Sequence, residues 1–348
     1  MSTGAVLSAV GLCTALGDSA LAVTAAVRAR LSRFREWPDY PCLAADPPRP
    51  GKPFYAVVAH TNVPRGQDVP LRLLTRAMQD LVSSADLVRE DLEGASFWVA
   101  IPEREAPQRA AWGAAIASSV GLEAAGSARV VTGGHATMLA LLGAASREIA
   151  ANPDMAIVVA GADSLVHPDV LPRLDESGRL KSHRNLDGFI PGEGAAAVLV
   201  EGRKRAEARG AVILAEIEGC GLAAEPRTIE SGDPPSGEAL TKCIQDACAA
   251  GGPPPWVLCD MNGESYRAKE WALARVRARP LLDGVRKLWH PADGYGDVGT
   301  ATGGALVALS AAALGRRVSP APRALLLAGS DDGARAAVTL VSAGAGMV

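Results

Sequence analysis

The stretch 186–201, LDGFIPGEGAAAVLVE, decides how the rest of the chain is read. Its second part, Ala195–Glu201, is a nearly unbroken apolar run of strand length, which suits a strand covered on both faces. The glycine-rich GFIPGEG before it marks a loop. Toward the N-terminus, Met155–Ala160 reads as a buried strand and His135–Ala151 as a long apolar helix. Gly133-Gly134 punctuates the end of a strand at Ala128–Thr132. Further out lie a helix at Gln108–Val120, a strand at Ser96–Ile101 and an amphipathic helix at Leu71–Leu87. Leu73, Leu74, Met78, Leu81 and Val82 share one face of that helix. Residues 36–70 carry many prolines and read as irregular, with one strand at Phe54–His60. The chain opens with a strand at Ala5–Leu12 and a helix at Ser19–Leu31.

Toward the C-terminus the rhythm repeats. Ala211–Gly219 reads as a strand, Gly237–Ala250 as a helix, Trp256–Asp260 as a strand and Tyr266–Arg277 as a helix. Pro280–Leu288 is expected to be helical. Gly299–Leu314 is an Ala/Gly-rich helix, and Ala324–Ala328 and Ala334–Val341 close the chain as strands. Strands separated by helices imply an α/β fold with a largely parallel, buried sheet. The shared element order predicts two pseudo-duplicated halves, residues 1–205 and 206–348, joined near 202–210 and forming one compact unit.

Composition excludes several classes. Of 348 residues, 48% are hydrophobic and 21% charged, which is globular rather than disordered. A net charge of −3 gives no field for nucleic acid or an anionic membrane. No apolar run reaches the ~18 residues of a spanning helix, and no basic region with an apolar stretch opens the chain. A cytoplasmic protein without its own signal is the expectation. The six cysteines, Cys13, Cys42, Cys220, Cys243, Cys248 and Cys259, form no CxxC pair and read as free thiols in a reducing compartment. No histidine falls in an HExxH or similar ligand pattern, so no metal and no cofactor is expected. Gly219–Ala224 fits GxGxxA, but Glu225-Pro226 directly after it argues against the helix a dinucleotide site needs. Lys181, His183 and Arg184 form a small basic cluster that could meet a phosphate or simply be a solvated loop.

Several strings, in order, resemble the β-ketoacyl synthases of the thiolase-fold superfamily. AVLSAVGLCTALGDSALAVTAAVRARLS resembles the family's opening strand, turn and helix. VGLEAAGSARVVTGGHATMLALLGAA resembles the segment that carries the nucleophile. MAIVVAGADS resembles the core strand that follows, LDGFIPGEGAAAVLVE the DGF…GEGA…LVE string, AVILAEIEGCG the strand opening the second half, and GDVGTATGGALVAL the late glycine-alanine helix. The resemblance implies a layered αβαβα thiolase-like fold, in which central mixed sheets sandwich buried helices. It also implies the nucleophile-position helix at 135–151.

That chemistry needs a cysteine thiolate at a helix N-terminus and two histidines from the second half. Alignment on the resemblance puts His135 at the cysteine position, Met261 at the first histidine and Gly296 at the second. Asp260, Asn262, Glu264 and Asp297 are possible helpers, and Cys259 is a poor substitute nucleophile. The C-terminal gate corresponds to Gly329-Ser330-Asp331-Asp332-Gly333-Ala334. The stretch between Ile101 and Val120 is also shorter than the family's. The sequence therefore implies a degenerate ketosynthase-like protein that acts as a binding partner, adaptor or chaperone.

Two settings follow. One is a heterodimer subunit of a synthase, with a cognate ketosynthase or acyl carrier protein as partner. The other is effector loading in bacterial type VI secretion, since the string Asp260, Asn262, Gly263, Glu264, Arg267, Glu270, Trp271 resembles thiolase-like proteins associated with such clusters. A homodimer is possible. The alternatives are a divergent acyltransferase using His135 on a thioester, and a module holding an acyl chain in a remnant tunnel.

Overall fold

The computed structural model describes residues 4–42, 55–66, 68–119, 121, 128–182 and 185–343. The first half contains β1 (Ala5–Thr14), α1 (Ala20–Arg28), β2 (Arg35–Pro41), β3 (Tyr55–Val58), α2 (Val69–Ser84), α3 (Arg89–Leu92) and β4 (Ser96–Ile101). It continues with α4 (Arg109–Ser119), β5 (Arg129–Thr132), α5 (Thr137–Ala151), β6 (Ala156–Ser164), α6 (Leu171–Glu176), β7 (Glu193–Gly202) and α7 (Arg203–Ala208). The second contains β8 (Ala215–Ala224), α8 (Glu238–Cys248), β9 (Trp256–Cys259), α9 (Ser265–Arg277), α10 (Arg279–Leu282) and β10 (Lys287–Trp289). It ends with α11 (Ala292–Tyr295), α12 (Thr302–Gly315), β11 (Arg323–Gly329) and β12 (Ala334–Val341).

The main sheet runs β10-β9-β11-β12-β8-β1-β7-β6-β4-β5. Read outward from the centre, the order is the same on both sides. β4 and β5 pair in parallel as β9 and β10 do, β6 matches β11, and β7 matches β12. The two sets of five strands meet in only two register pairs, Val6 with Glu216 and Leu7 with Ala215. α5 and α12 lie between the sets, and their apolar residues form one core with the inner faces of β1, β6, β7, β11 and β12. α2 and α4 cover the outer face of the first set, and α8 and α9 that of the second. This is the layered αβαβα thiolase-like arrangement.

The physical cause is legible in α12. Thr302–Leu314 is buried on every side, which an Ala/Gly-rich sequence tolerates because small side chains let a helix sit between two sheets at close range. A Cβ on Gly304 would stand 2.3 Å from the Met138 side chain of α5.

Four sequence expectations need correction. The main sheet is mixed rather than largely parallel, with five antiparallel and four parallel pairings, because β1, β7, β8 and β12 run antiparallel to their neighbours at its centre. Residues 35–41 form β2, paired antiparallel with β3, although the prolines there suggested irregular chain. Pro38 and Pro41 are tolerated because this is a two-stranded sheet, where each strand is an edge. Pro280–Leu288 is not one helix: α10 ends at Leu282, and Lys287–Trp289 is an edge strand beside β9. The strand expected at Ala211–Gly219 begins at Ala215 and continues to Ala224, so the GxGxxA string lies within β8 and opens no helix.

Candidate functional site

The GFIPGEG loop holds the site from below. Gly192 N–H donates to the Asp297 carbonyl at 2.7 Å, and Asp297 N–H donates to the Ile190 carbonyl at 2.8 Å. Gly192 permits that approach: a Cβ there would lie 2.4 Å from the Tyr295 carbonyl oxygen. Within the same loop, Glu193 is buried and receives Thr61 N–H and hydroxyl, Ser164 hydroxyl and the Arg65 guanidinium. Asp297 is thereby fixed with its side chain aimed at the start of α5.

There it meets His135. Nε2 of His135 and Oδ1 of Asp297 are 2.7 Å apart, and both side chains are buried. Asn262 Nδ2 donates to Asp297 Oδ2 at 2.7 Å and to Glu264 Oε2 at 3.0 Å. Glu264 accepts from Arg179 Nε at 2.7 Å, and Arg179 Nη1 donates to Asp331 at 2.8 Å. Asp331 also accepts from Arg267 Nη2 at 3.0 Å, and Arg267 Nη1 donates to Asp260 at 2.7 Å. Asp260 accepts Gly329 N–H at 2.7 Å. Four carboxylates therefore face two guanidiniums and one imidazole in a continuous network.

The electrostatics follow from that count. Burial alone pulls the His135 pKa down, but the charge and hydrogen bond of Asp297 outweigh it, and the net pKa lies above the ordinary value. Burial pushes Asp297 up, yet His135, Arg267 and Asn262 hold its carboxyl far below the usual carboxylate range. Asp331 is lowered to about 2: burial raises it, but Arg267, His135 and Arg179 prevail. Both shifts favour the imidazolium–carboxylate form of the pair. Nδ1 of His135 is buried without a partner.

Of the residues singled out by sequence, the structure joins His135, Asp260, Asn262, Glu264 and Asp297. Met261 and Gly296 do not belong to this group. Met261 packs against the outer core of the second half, because consecutive residues leaving β9 point to opposite sides. Gly296 offers only backbone, in the left-handed region at φ 75°. Asp297, one residue after Gly296, is the side chain that reaches His135, and Asn262, one residue after Met261, reaches Asp297. Cys259 is buried and its thiol is pushed up to about 12, mainly by burial. All six thiols are shifted upward, so none is a ready thiolate.

Arg179, on the turn after α6, was not visible as a site residue: no spacing marks an arginine that crosses from one half to the other. His183 and Arg184 of the basic cluster lie outside the described residues, and Lys181 Nζ donates to the Leu186 carbonyl at 3.1 Å. The cavity beside Asp297, bounded by Cys259, Asp260, Tyr295 and Thr302, measures about 10 Å³, room for one water. No His/Cys/Asp/Glu group among the described residues is placed to hold a metal, and no described helix is long and apolar enough to cross a membrane.

Comparisons with known proteins agree with this architecture. A family model described as "Beta-ketoacyl synthase, N-terminal domain" matches residues 94–206. A 3-oxoacyl-[acyl-carrier-protein] synthase 2 of Coxiella burnetii is 29% identical over 160 residues, which span 44% of this chain and 38% of that protein. The enzyme of the same name from Mycobacterium bovis is 42% identical over 72 residues, 20% of this chain and 17% of that one. The chain therefore aligns with less than half the length of these relatives. Among solved structures, a type II PKS acyl-carrier protein in complex with its ketosynthase bound to the hexaketide matches with a TM-score of 0.78. That match is 15% identical and covers 97% of this chain and 99% of the other. The ishigamide ketosynthase/chain length factor matches at 0.76 and 18% identity, covering 98% and 99%. On the family-model match over residues 94–206 and the fold match along nearly the whole chain, the chain is a β-ketoacyl synthase-like protein of thiolase fold.

Proposed function

We propose that this protein acts by binding a protein partner rather than by acyl transfer. One observation carries the reading. The position that resemblance assigns to the nucleophile is held by His135, locked to Asp297 within an ion-pair network. Acyl transfer needs a nucleophile with a free lone pair. Nε2 of His135 is engaged by Asp297, and the raised pKa disfavours the neutral ring whose lone pair would attack. On this reading residues 1–205 and 206–348 are the halves of one duplicated, catalytically degenerate unit. It serves as a heterodimer subunit beside a cognate ketosynthase, or as an adaptor or chaperone that meets an acyl carrier protein or a secretion effector. The solved ketosynthase/chain length factor supports the first setting as an example of a paired assembly on this fold.

The divergent acyltransferase remains the competing reading, and the His135–Asp297 dyad with its free Nδ1 is what favours it. A base in that dyad requires neutral imidazole, which the raised pKa opposes. Intact-protein mass spectrometry after incubation with acyl and malonyl thioesters, with free thiol release followed in parallel, separates the two. Neither an adduct nor thioester loss is expected. An adduct or turnover in the wild type that vanishes in His135→Ala would overturn the binding reading.

A further inference from the structure

A cleft of about 630 Å³ opens at the C-terminal end of α1, away from the His135 network. Arg28, Arg30 and Lys287 stand exposed in its lining. No ion pair neutralises them among the described residues. The single carboxylate of the lining, Asp293, is already taken by Nδ1 of His290 at 2.6 Å. Apolar side chains complete the lining: Val27, Leu31, Leu288, Trp289, Pro291 and Pro320. Trp289 lies edge-on to the buried Trp256, with ring centroids 4.8 Å apart, and Leu31 is 56% exposed beside it.

Arg30 has φ 56°, a left-handed conformation. It occupies the residue after the helix cap where glycine is favoured: Arg30 N–H donates to the Val27 carbonyl and Leu31 N–H to the Ala26 carbonyl, both at 3.0 Å. An arginine is thus held in a glycine conformation at the lip of the cleft. Cations near a helix C-terminus offset the helix dipole, which accounts for Arg28 and Arg30 in part but not for Lys287 or Trp289 on a different element.

We propose that this cleft docks an acidic, amphipathic segment of the partner protein. Its carboxylates would meet Arg28, Arg30 and Lys287, and an apolar side chain would rest on Trp289 and Leu31. Charge complementarity selects that occupant. A rigid tryptophan flanked by arginines is also the composition of an interface hot spot. A small anion is disfavoured because the three cations are exposed and stand among apolar side chains. The inference rests on the binding reading above, but its test is independent of thioester chemistry.

The probe is a fluorescein-labelled helical peptide with Glu on one face and Leu and Phe on the other, titrated by anisotropy at low salt against the full chain. Saturable binding is expected, weakened at least about tenfold in R28E/R30E/K287E and in Trp289→Ala. It is expected to be unchanged in R89E/K204E/R275E, which alters exposed cations elsewhere. Thermal unfolding of each variant establishes that it is folded. Absence of saturable binding, equal loss in both triple variants, or full displacement by millimolar inorganic phosphate would overturn the proposal. If the protein turned over thioesters while the peptide still bound at the cleft, the binding reading would fall and the docking surface would stand.

Discussion

The starts of α5 and α12 are pseudo-equivalent, and each is held from the opposite half. At α12, Thr300 N–H donates to Asp163 at the end of β6 at 2.9 Å, and Asp163 is paired with Arg104. At α5, Ala136 N–H donates to the Ser330 hydroxyl oxygen just after β11, at 3.0 Å. The caps are related by the duplication, but their surroundings differ. The α12 start has Asp163 with its Arg104 and, on Gly299 N–H at 2.8 Å, the Oδ1 of Asp297, and the rest is glycine and alanine packing. The α5 start is embedded in seven charged groups that span both halves. A helix start needs one or two acceptors for its free N–H groups. The α12 start satisfies that need and no more. The surplus at α5 therefore does something other than cap a helix: it ties the halves together through His135 and Arg179.

Removing Asp297 should separate the two ends most sharply. Asp297→Ala leaves His135 buried without its acceptor and takes one from Asn262, which keeps Glu264, and from Gly299 N–H; a broken buried pair costs about 3–5 kcal/mol. Asp163→Ala leaves Arg104, which is 23% exposed, and one helix N–H; about 1–2 kcal/mol is expected. Urea unfolding of the two variants gives the ranking. Equal losses would mean that the α5 network adds nothing beyond a cap.

The pH response comes next in size. The folded pKa of His135 is raised above 6.5, so its stabilisation is fully present below about pH 6.5 and is lost as pH rises through the folded value. The folded pKa of Asp297 is lowered from 3.8, so its contribution is present above that value and fades as pH falls well below it. The stability difference between the wild type and His135→Gln should therefore shrink as pH rises above 6.5. The slope cannot exceed about 1.4 kcal/mol per pH unit. His290 shifts in the same direction through Asp293, and taking the difference between the two proteins removes it. A flat difference from pH 6 to 9 would show that His135 does not carry the charge assigned to it.

Ser330→Ala should be the mildest change, about 1 kcal/mol for a lost cap, with no effect on the pH dependence. A pH-dependent loss would place Ser330 in the ionic network rather than at the helix end.

Much of the fold was legible because apolar periodicity is local. Ser96–Ile101 was read with its observed bounds, and Gly299–Leu314 was recognised as a buried small-residue helix. β2 escaped because its charged and proline residues show no alternation. Lys287–Trp289 escaped because three residues carry too little pattern, and only the neighbouring β9 makes them a strand. In the site, the string from Asp260 to Trp271 pointed to the right segment. Its members now have partners: Asp260 with Arg267, Asn262 with Asp297, Glu264 with Arg179, and Glu270 with Arg335.

The chain's sequence by itself determined the alternation of strands and helices, the doubled order of the halves and His135 at the head of the buried helix, since each depends on neighbouring residues alone. Only the tertiary structure decided that Asp297 rather than Gly296 meets His135, that Asn262 rather than Met261 supports Asp297, and that Arg179 closes the network. Those outcomes depend on a one-residue turn of loop backbone and on charges brought together across more than a hundred residues of chain, which no local pattern records.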